Sequence, residues 1–302
     1  MKKIEVNTPK LSIIFLNYNR IRETRYTIAL LSRLLEFRDD VEVIAVDNGS
    51  TDGTREFLQT QSDWARVVSL SSNLGIAGYN EGFKQAKGDY LLVLDDDSHP
   101  VDSITLDRII QCLDTRPDVG VVACRIESLK GDPIYSWHLP ENDAPGISMA
   151  FVGCGFAIRR ALFEQIGWYP TDLFFYQNEI EVAIRVMRSQ YKIYYDPSCR
   201  VVHRESPSGR SNWRRVYYET RNTIWLIRRY FPFPMAAYLI GSRLFFGLLH
   251  ALQSLEFGGY YRAVLDALQT PIVPQELSPL LYQQLTTFWR QNSVWHQLLA
   301  RL

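Results

Sequence analysis

The chain has 302 residues, of which 46% are hydrophobic and 22% are charged. This length suits one large α/β domain with an appendage, and the hydrophobic content is enough for a sizeable core. The 33 basic and 33 acidic side chains cancel, which argues against a nucleic-acid partner because such proteins usually carry a basic excess.

Short apolar runs of strand length alternate with helical patterns over the first 126 residues. This alternation predicts βαβ units with right-handed crossovers and therefore a mostly parallel sheet. Because the strand runs are continuously apolar, we expect helices on both faces of the sheet and ligands at the carboxyl ends of its strands. The strands are predicted at 11–17, 41–47, 66–70, 90–94 and 119–123, and the helices at 22–37, 52–60, 76–86 and 104–115.

The second half of the chain is less regular. It carries a helical pattern at 179–188 and strand-like pieces at 192–195 and 200–203. A polar segment at 204–211, rich in turn residues, predicts a mobile loop. Because the following residues are helical and apolar, we predict an α/β domain over 1–211 and a helical C-terminal extension over 212–302.

Three consecutive carboxylates, Asp95, Asp96 and Asp97, follow the apolar run YLLVL. Their mutual repulsion requires a cation or hydrogen-bond donors nearby. In an extended segment, Asp95 and Asp97 point to the same side and can share one ion, for which carboxylate oxygens favour Mg²⁺ or Mn²⁺. Such an ion would neutralise a diphosphate leaving group. The alternative is an acidic turn that caps the next helix.

Two further patterns lie at predicted strand ends. Asp47 ends the second strand in VDNGSTDGT, where its carboxylate can accept the imide N–H of uracil or thymine; the alternative is a plain strand–turn–helix corner. The run at 73–80 carries glycines that permit close approach to a ligand or only to neighbouring chain. It matches neither a dinucleotide-binding fingerprint nor a P-loop.

Acid–base candidates come later in the chain. Glu179 lies at the start of a predicted helix, where it is either a general base or simply a charge that stabilises the helix dipole. Glu181, two residues further on, is expected to point elsewhere. His203 ends a strand and is a candidate for the metal shell, although a lone histidine more often has a structural role.

Together these segments resemble family 2 glycosyltransferases, and among them the rhamnosyl- and galactofuranosyl-type branch. The resemblance covers about three quarters of the chain, from Lys10 to Pro232. It is carried by SIIFLNYNR (12–20), VDNGSTDGT (46–54), NLGIAGYNEGFKQAKGDYLLVLDDDSHP (73–100), GCGFAIRR (153–160), IGWYPTDLFFYQNEIEVAIRV (166–186), YKIYYDPSCRVVH (191–203) and YYETRNTIWLIRRYFP (217–232).

The resemblance implies the GT-A nucleotide-diphospho-sugar transferase fold and an inverting transfer from a UDP- or dTDP-sugar to an acceptor hydroxyl. It implies that Asp95, Asp97 and His203 hold Mn²⁺ or Mg²⁺, that Asp96 lies near the sugar or ribose, and that Cys154 and Gly155 flank the acceptor. The family's Glu-Asp-x-Asp motif is Asn178-Glu179-Ile180-Glu181 here, so the catalytic base falls on Glu179. The nucleotide would be bound by Asn17, Tyr18, Arg20 and Asp47, and the donor pocket lined by Asn73, Gly75, Gly78 and Asn80.

The resemblance also implies a role in cell-surface polysaccharide or glycolipid synthesis, with a saccharide or lipid-linked acceptor. The segment 224–249 is apolar, but charges and prolines interrupt it, so it falls short of an uncharged membrane span. It suits an interfacial helix or a seam between two copies. Cysteine spacing without a disulfide or zinc pattern, and the lack of an apolar run near Met1, predict a cytoplasmic protein, peripheral on the inner face of the membrane.

Two other functions stay open at this stage. The change to Asn178-Glu179 is compatible with a catalytically impaired protein that binds a nucleotide sugar or acts as an assembly partner. A sugar nucleotidyltransferase shares the general architecture, but it needs a glycine- and lysine-rich phosphate loop that 17–23 lacks. Turnover of a nucleotide sugar separates these alternatives.

Overall fold

The computed structural model describes residues 8–134, 140, 142–205 and 211–293. Contacts divide the chain into two compact units: Met1–Thr171 with Val182–Gly209, and Asp172–Glu181 with Arg210–Leu302. We call them the sheet unit and the helical unit. The domain division predicted at 211/212 stays a prediction, and residues 206–210 of the predicted mobile loop lie outside the described residues.

The first half of the sheet unit follows the predicted alternation closely. Its apolar runs form strands, and the predicted helix at 76–86 is shorter, a 3₁₀ turn over Gly75–Gly78 that continues into an α-helix. The elements are β1 (Leu11–Asn17), α1 (Ile21–Leu34), β2 (Val41–Asp47), α2 (Thr54–Gln59), β3 (Arg66–Ser69), α3 (Tyr79–Phe83), β4 (Tyr90–Asp95), β5 (Ser98–Pro100), α4 (Ser103–Thr115) and β6 (Val119–Glu127).

The second half of the sheet unit adds antiparallel strands that the sequence did not predict. The two strand-like pieces predicted at 192–195 and 200–203 are one continuous strand. The elements are β7 (Gly146–Ser148), β8 (Gly155–Arg159), α5 (Arg160–Gln165), α6 (Asn178–Arg188), whose first turn belongs to the helical unit, and β9 (Lys192–His203).

Among the described residues, nine strands form one mixed sheet in the order β3-β2-β1-β4-β8-β6-β9-β5, with β7 also paired to β9. The β1–β2, β1–β4, β2–β3 and β6–β9 pairings are parallel, and the other four are antiparallel. Alternate β1 residues lie in different buried clusters, Ile13 and Phe15 in one and Ile14 in the other. The sheet is therefore covered on both faces, as its continuous apolar strands predict.

The helical unit contains α7 (Asn212–Tyr230), α8 (Met235–Ser254), α9 (Phe257–Gln269) and α10 (Pro279–Gln291). Ser211 and Ser278 cap α7 and α10 by accepting backbone N–H groups. Leu173, Ile224, Trp225 and Ala267 form a buried cluster within this unit. A segment from the middle of the chain thus packs with the C-terminal helices.

The segment 224–249, which charges and prolines interrupt, includes the first part of α8. Because α8 begins only after Pro234 and continues to Ser254, Arg243 is its one Lys, Arg, Asp or Glu residue. Among the described residues, α8 is the one helix with the length and composition of a span, with a mean hydropathy of 1.4. Helices of soluble proteins also meet this criterion.

Candidate active site

The acidic triplet lies where β4 ends at the carboxyl edge of the sheet. Asp95 is the last residue of β4, Asp96 and Asp97 form the turn, and Ser98 begins β5. Because β5 pairs antiparallel with β9, Ser98 lies directly opposite His203. The strand pairing therefore brings together two parts of the chain that are more than 100 residues apart in sequence.

Arg20 compensates two of the three carboxylates. Its guanidinium donates to Asp96 Oδ1 at 2.5 Å and to Asp97 Oδ2 at 2.7 Å. Both aspartates are almost fully buried. The sequence placed Arg20 at the nucleotide base or ribose; in the structure its guanidinium lies on the acidic triplet.

His203 supplies a second positive partner to Asp97. Its Nε2 lies 3.2 Å from Asp97 Oδ1. Burial alone would favour the neutral imidazole, but Cys154 and the hydrogen bond to Asp97 raise the pKa of His203 to about 11. Burial disfavours the charged form of Asp97 as well, yet His203 and Arg20 hold the pKa of its carboxyl below the usual range.

Asp95 accepts its hydrogen bond from a hydroxyl rather than from a guanidinium. Burial, together with the charge of Asp97, raises the pKa of Asp95. Its Oδ1 accepts a hydrogen bond from the Tyr79 hydroxyl at 3.1 Å, and the same hydroxyl donates to the Leu94 carbonyl at 2.6 Å. A carboxylate at this position gains from a further positive charge nearby.

The donor atoms at this edge fit a divalent cation. One ligand atom each from Asp95, Cys154 and His203 lies within 4.8 Å of the others, and Asp97 is bonded to the same imidazole. Carboxylate oxygens and a neutral imidazole suit Mn²⁺ or Mg²⁺, so His203 would have to release its extra proton when the ion binds. The thiol of Cys154, which the resemblance placed beside the acceptor, is a softer donor next to this set.

Arg204 is a residue of this site that the sequence reasoning missed. Its guanidinium donates to Glu23 Oε2 at 2.9 Å and to Thr27 Oγ1 at 2.8 Å, and it also reaches the Asp96 carbonyl at 3.0 Å. Its backbone N–H donates to the Asp97 carbonyl. Arg204 therefore ties the acidic turn to α1, and its position directly after the motif that ends in His203 was the signal that could have found it.

The predicted nucleotide corner lies at the ends of β1 and β2, and its polar groups are already bonded to protein. Asp47 is fully buried; its carboxylate accepts from the Ser50 N–H at 3.0 Å and from Arg55 Nε at 2.8 Å. Asn17 donates to the Val46 carbonyl and accepts from Thr24. The half-buried Tyr18 follows Asn17 on the same edge.

Asn48, which follows Asp47 directly, organises the glycine-containing run at 73–80. Its Nδ2 donates to Asn73 Oδ1 and to the Gly75 carbonyl at 3.0 Å, and its Oδ1 accepts from the Leu74 N–H at 2.9 Å. A Cβ at Gly78 would lie 2.7 Å from Asn48 Oδ1. Gly78 thus permits the chain that leads into α3 to pack closely against Asn48. Gly75 has φ +61°, a backbone conformation that favours glycine.

Asn80 is bonded to the backbone of one residue through both of its polar atoms. Its Nδ2 donates to the Tyr169 carbonyl at 3.0 Å, and its Oδ1 accepts from the Tyr169 N–H at 3.1 Å. Both residues are buried. In this arrangement the amide holds the chain after α5 in place, so its predicted role in the donor pocket stays untested.

Glu179 is the second residue of α6, as the helical pattern predicted, and it is half-buried. The preceding Asn178 is 1% exposed. Glu181 is bonded away from this position, because its Oε1 accepts from Arg229 at 3.0 Å and from the Tyr230 hydroxyl at 2.9 Å. Of the two glutamates, Glu179 is therefore the one that lies outside this buried ion pair.

The sequence of the chain matches the family model described as Glycosyl transferase family 2 over residues 12–180. The chain belongs to this family. It is 22% identical over 242 residues to the probable glycosyltransferase YdaM of Bacillus subtilis (strain 168), covering 74% of this chain and 57% of YdaM. It is 26% identical over 234 residues to the O-antigen biosynthesis protein RfbC of Myxococcus xanthus, covering 68% of this chain and 18% of RfbC.

Solved structures share the fold of this glycosyltransferase family member. The mannosyltransferase PcManGT from Pyrobaculum calidifontis, in complex with GDP-Man and Mn²⁺, has a TM-score of 0.59 and 21% identity, covering 93% of this chain and 84% of that chain. S. aureus TarS 1-349 in complex with UDP-GlcNAc has a TM-score of 0.60 and 18% identity, covering 94% and 91%. The predicted GT-A fold is confirmed.

Proposed function

We propose that this protein is an inverting glycosyltransferase that moves a sugar from a UDP- or dTDP-sugar to an acceptor hydroxyl in cell-surface polysaccharide or glycolipid synthesis. The observation that carries the proposal is the group of Asp95, Asp97 and His203 at the carboxyl edge of the sheet. Family membership supports sugar transfer, and the naming of RfbC as an O-antigen biosynthesis protein supports a polysaccharide product.

Asp95, Asp97 and His203 would hold Mn²⁺ or Mg²⁺, which when bound supplies positive charge to the diphosphate of the donor. Asp97 holds His203 through its Oδ1 and Arg20 through its Oδ2. Arg20 bonds side chains of the acidic turn, and Arg204 bonds a backbone carbonyl of the same turn. The carboxylates are thereby fixed before a ligand arrives, which reduces the cost of ordering them.

Glu179 would accept the proton of the acceptor hydroxyl as its oxygen attacks the anomeric carbon and the bond to the nucleoside diphosphate breaks. A glutamate reaches about one bond further than the aspartate usual in the family, and its reference pKa is only slightly higher, ~4.3 against ~3.9. The first turn of α6 favours the anionic form that a base requires.

A thermal-shift screen of UDP-, dTDP- and GDP-sugars with Mn²⁺ tests donor binding, because a ligand that binds the folded state stabilises it by RT ln(1 + [L]/Kd) and so raises the unfolding temperature. We expect Glu179→Gln to keep this shift and to lose sugar transfer. Wild-type transfer by Glu179→Gln would refute the base assignment. Binding with no turnover in the wild type would favour a nucleotide-sugar-binding protein, and formation of a nucleotide sugar from a sugar phosphate would favour a nucleotidyltransferase.

We also propose that the protein is cytoplasmic and touches the inner membrane surface through α8. Phe245, Leu248, Leu249 and Leu252, which we call the α8 stripe, repeat at helical spacing and are each 38–49% exposed. The one charged side chain of α8 at neutral pH, Arg243, is bonded to Glu219. An exposed apolar face of this size without charges suits a lipid interface, where a lipid-linked acceptor would reside.

Flotation with vesicles of phosphatidylglycerol and phosphatidylcholine tests this location. We expect the wild type to float and the Leu248→Ser/Leu252→Ser variant to float less. Leu129→Ser, which changes an exposed leucine of the sheet unit, is the matched control. Absence of flotation together with a dimer in gel filtration that the double variant abolishes would assign the α8 stripe to a second copy of the chain instead.

A further inference from the structure

The loop that leads into α6 has an unusual backbone. Phe174, Tyr176 and Gln177 have φ values of +61°, +64° and +66°, although none of them is glycine. Non-glycine residues rarely adopt this left-handed region, and such residues persist only where surrounding contacts determine them. Gln177 is also the residue whose carbonyl accepts the Glu181 N–H in the first turn of α6.

Asn222 of α7 supplies the contacts that fix this loop. Its Nδ2 lies 2.9 Å from the Leu173 carbonyl, 2.6 Å from the Phe175 carbonyl and 3.0 Å from the Tyr176 carbonyl. An amide has two N–H donors, so at least one of them is shared between two carbonyls. Asn222 is fully buried, and these carbonyls therefore have an internal donor where water does not reach.

Arg221 determines which end of the Asn222 amide faces the loop. Its Nε donates to Asn222 Oδ1 at 2.9 Å, so the oxygen points to the guanidinium and the NH₂ group points to the carbonyls. The same guanidinium donates to the Leu173 carbonyl at 3.0 Å and lies 4.1 Å from the ring centroid of Trp225. Its orientation is thus fixed as well.

The same helix holds the chain on the other side of Glu179. Seven and eight residues after Asn222, which is two helical turns, Arg229 and Tyr230 donate to Glu181 Oε1. Arg229 also donates to Asp172 Oδ2 at 2.9 Å, at the start of the loop. Glu181 is 1% exposed, so this ion pair is shielded from solvent.

We propose that α7 acts as a clamp that positions Glu179. Asn222, oriented by Arg221, fixes the backbone before Glu179, and Arg229 with Tyr230 fixes the side chain two residues after it. The proposal rests on the proposed function of Glu179 as the base. It makes Asn222 and Tyr230 positioning residues. It also gives a structural role to the segment 217–232, which carries the family resemblance together with the segment that contains Glu179.

The test measures Mn²⁺-dependent turnover of the nucleotide sugar selected by the thermal-shift screen. Asn222→Asp keeps the shape of the side chain but replaces its donors with oxygen. We expect kcat to fall about 100-fold with the donor KM unchanged, because small displacements of a reacting group cost this much. In a Glu179→Gln background, the same change should cause little further loss, since both act through one carboxylate.

Hydrogen exchange gives a readout that needs no substrate. We expect the Glu181 amide to exchange faster in Asn222→Asp and in the milder Tyr230→Phe, which keeps the Glu181–Arg229 ion pair and is used if Asn222→Asp does not fold. Asn212→Asp, the same change on the exposed first turn of α7, and Tyr261→Phe, on α9, are the matched controls.

An equal loss of kcat on Asn222→Asp in the wild-type and Glu179→Gln backgrounds would overturn the proposal. So would wild-type kcat in Asn222→Asp and Tyr230→Phe while the Glu181 amide exchanges faster in both. Wild-type turnover by Glu179→Gln alone would instead show that the base is assigned wrongly. The two failures therefore come from different variants.

Discussion

Asn80→Ala separates a structural role of Asn80 from the predicted role in the donor pocket. The substitution removes both partners of the Tyr169 backbone, whose N–H and carbonyl lie in a buried environment. Each buried polar group that loses its partner costs roughly 1–3 kcal/mol. The two together predict a loss of roughly 2–6 kcal/mol in the free energy of unfolding, within a total of about 5–15 kcal/mol for a domain.

The loss should reach the acidic triplet through aromatic contacts. Tyr169 packs edge-on against Tyr79 with ring centroids 5.7 Å apart, and Tyr79 donates to Asp95. We therefore expect Asn80→Ala to weaken Mn²⁺-dependent UDP binding as a secondary effect of loosened packing. Asn80→Asp should destabilise at least as strongly, because it places an oxygen against the Tyr169 carbonyl.

Urea unfolding followed by circular dichroism measures the stability, and isothermal titration with UDP and Mn²⁺ measures binding. Gln59→Ala, which removes an exposed amide from α2, is the control and should change neither quantity. A change in unfolding free energy below about 0.5 kcal/mol together with a clear loss of UDP affinity would refute the structural role. It would instead place Asn80 in contact with the donor.

Three further outcomes are expected. Asp97→Ala should abolish Mn²⁺-dependent UDP binding in the same titration, because it leaves Arg20 and His203 without their shared carboxylate; retained binding would contradict the metal assignment. Gln190→Gly should raise the free energy of unfolding by about 1 kcal/mol, since this exposed residue after α6 has φ +65°; a lower midpoint in urea would contradict this. Burial raises the pKa of all four thiols, those of Cys112, Cys124, Cys154 and Cys199. Because a raised pKa lowers the thiolate fraction at any given pH, the folded protein should react slowly with Ellman's reagent at pH 8. Fast reaction would contradict the burial of these thiols.

Local patterns predicted the first half of the sheet because each strand there is a continuous apolar run. The bounds predicted for β1 and β2 match those in the structure, and β4 and β6 differ only at their ends. β8 was missed because Gly155–Arg159 has only five residues and pairs with strands distant in sequence. Such pairings depend on tertiary contacts, which periodicity does not carry.

The candidate site was predicted as residue types and positions but not as a set of partners. The carboxylates at 95–97 and His203 could be predicted because they lie at the ends of predicted strands. The pairing of Ser98 with His203, which brings them together, depends on the register between β5 and β9, and the sequence pattern does not reveal that register. Arg20 illustrates the remaining difficulty. An arginine after β1 has several acidic groups in reach, and only the folded chain shows that it bonds to Asp96 and Asp97 rather than to Asp47.

The grouping of Asp172–Glu181 with the C-terminal helices has a practical meaning for protein engineering. A truncated version that ends before α7 would lose Asn222, which bonds the loop carbonyls, and the described partners of the Glu181 carboxylate, although it would retain the whole β-sheet. A chimaera that borrows residues 212–302 from a relative should therefore borrow 172–181 as well. The two pieces are separated along the gene but form a single module for grafting.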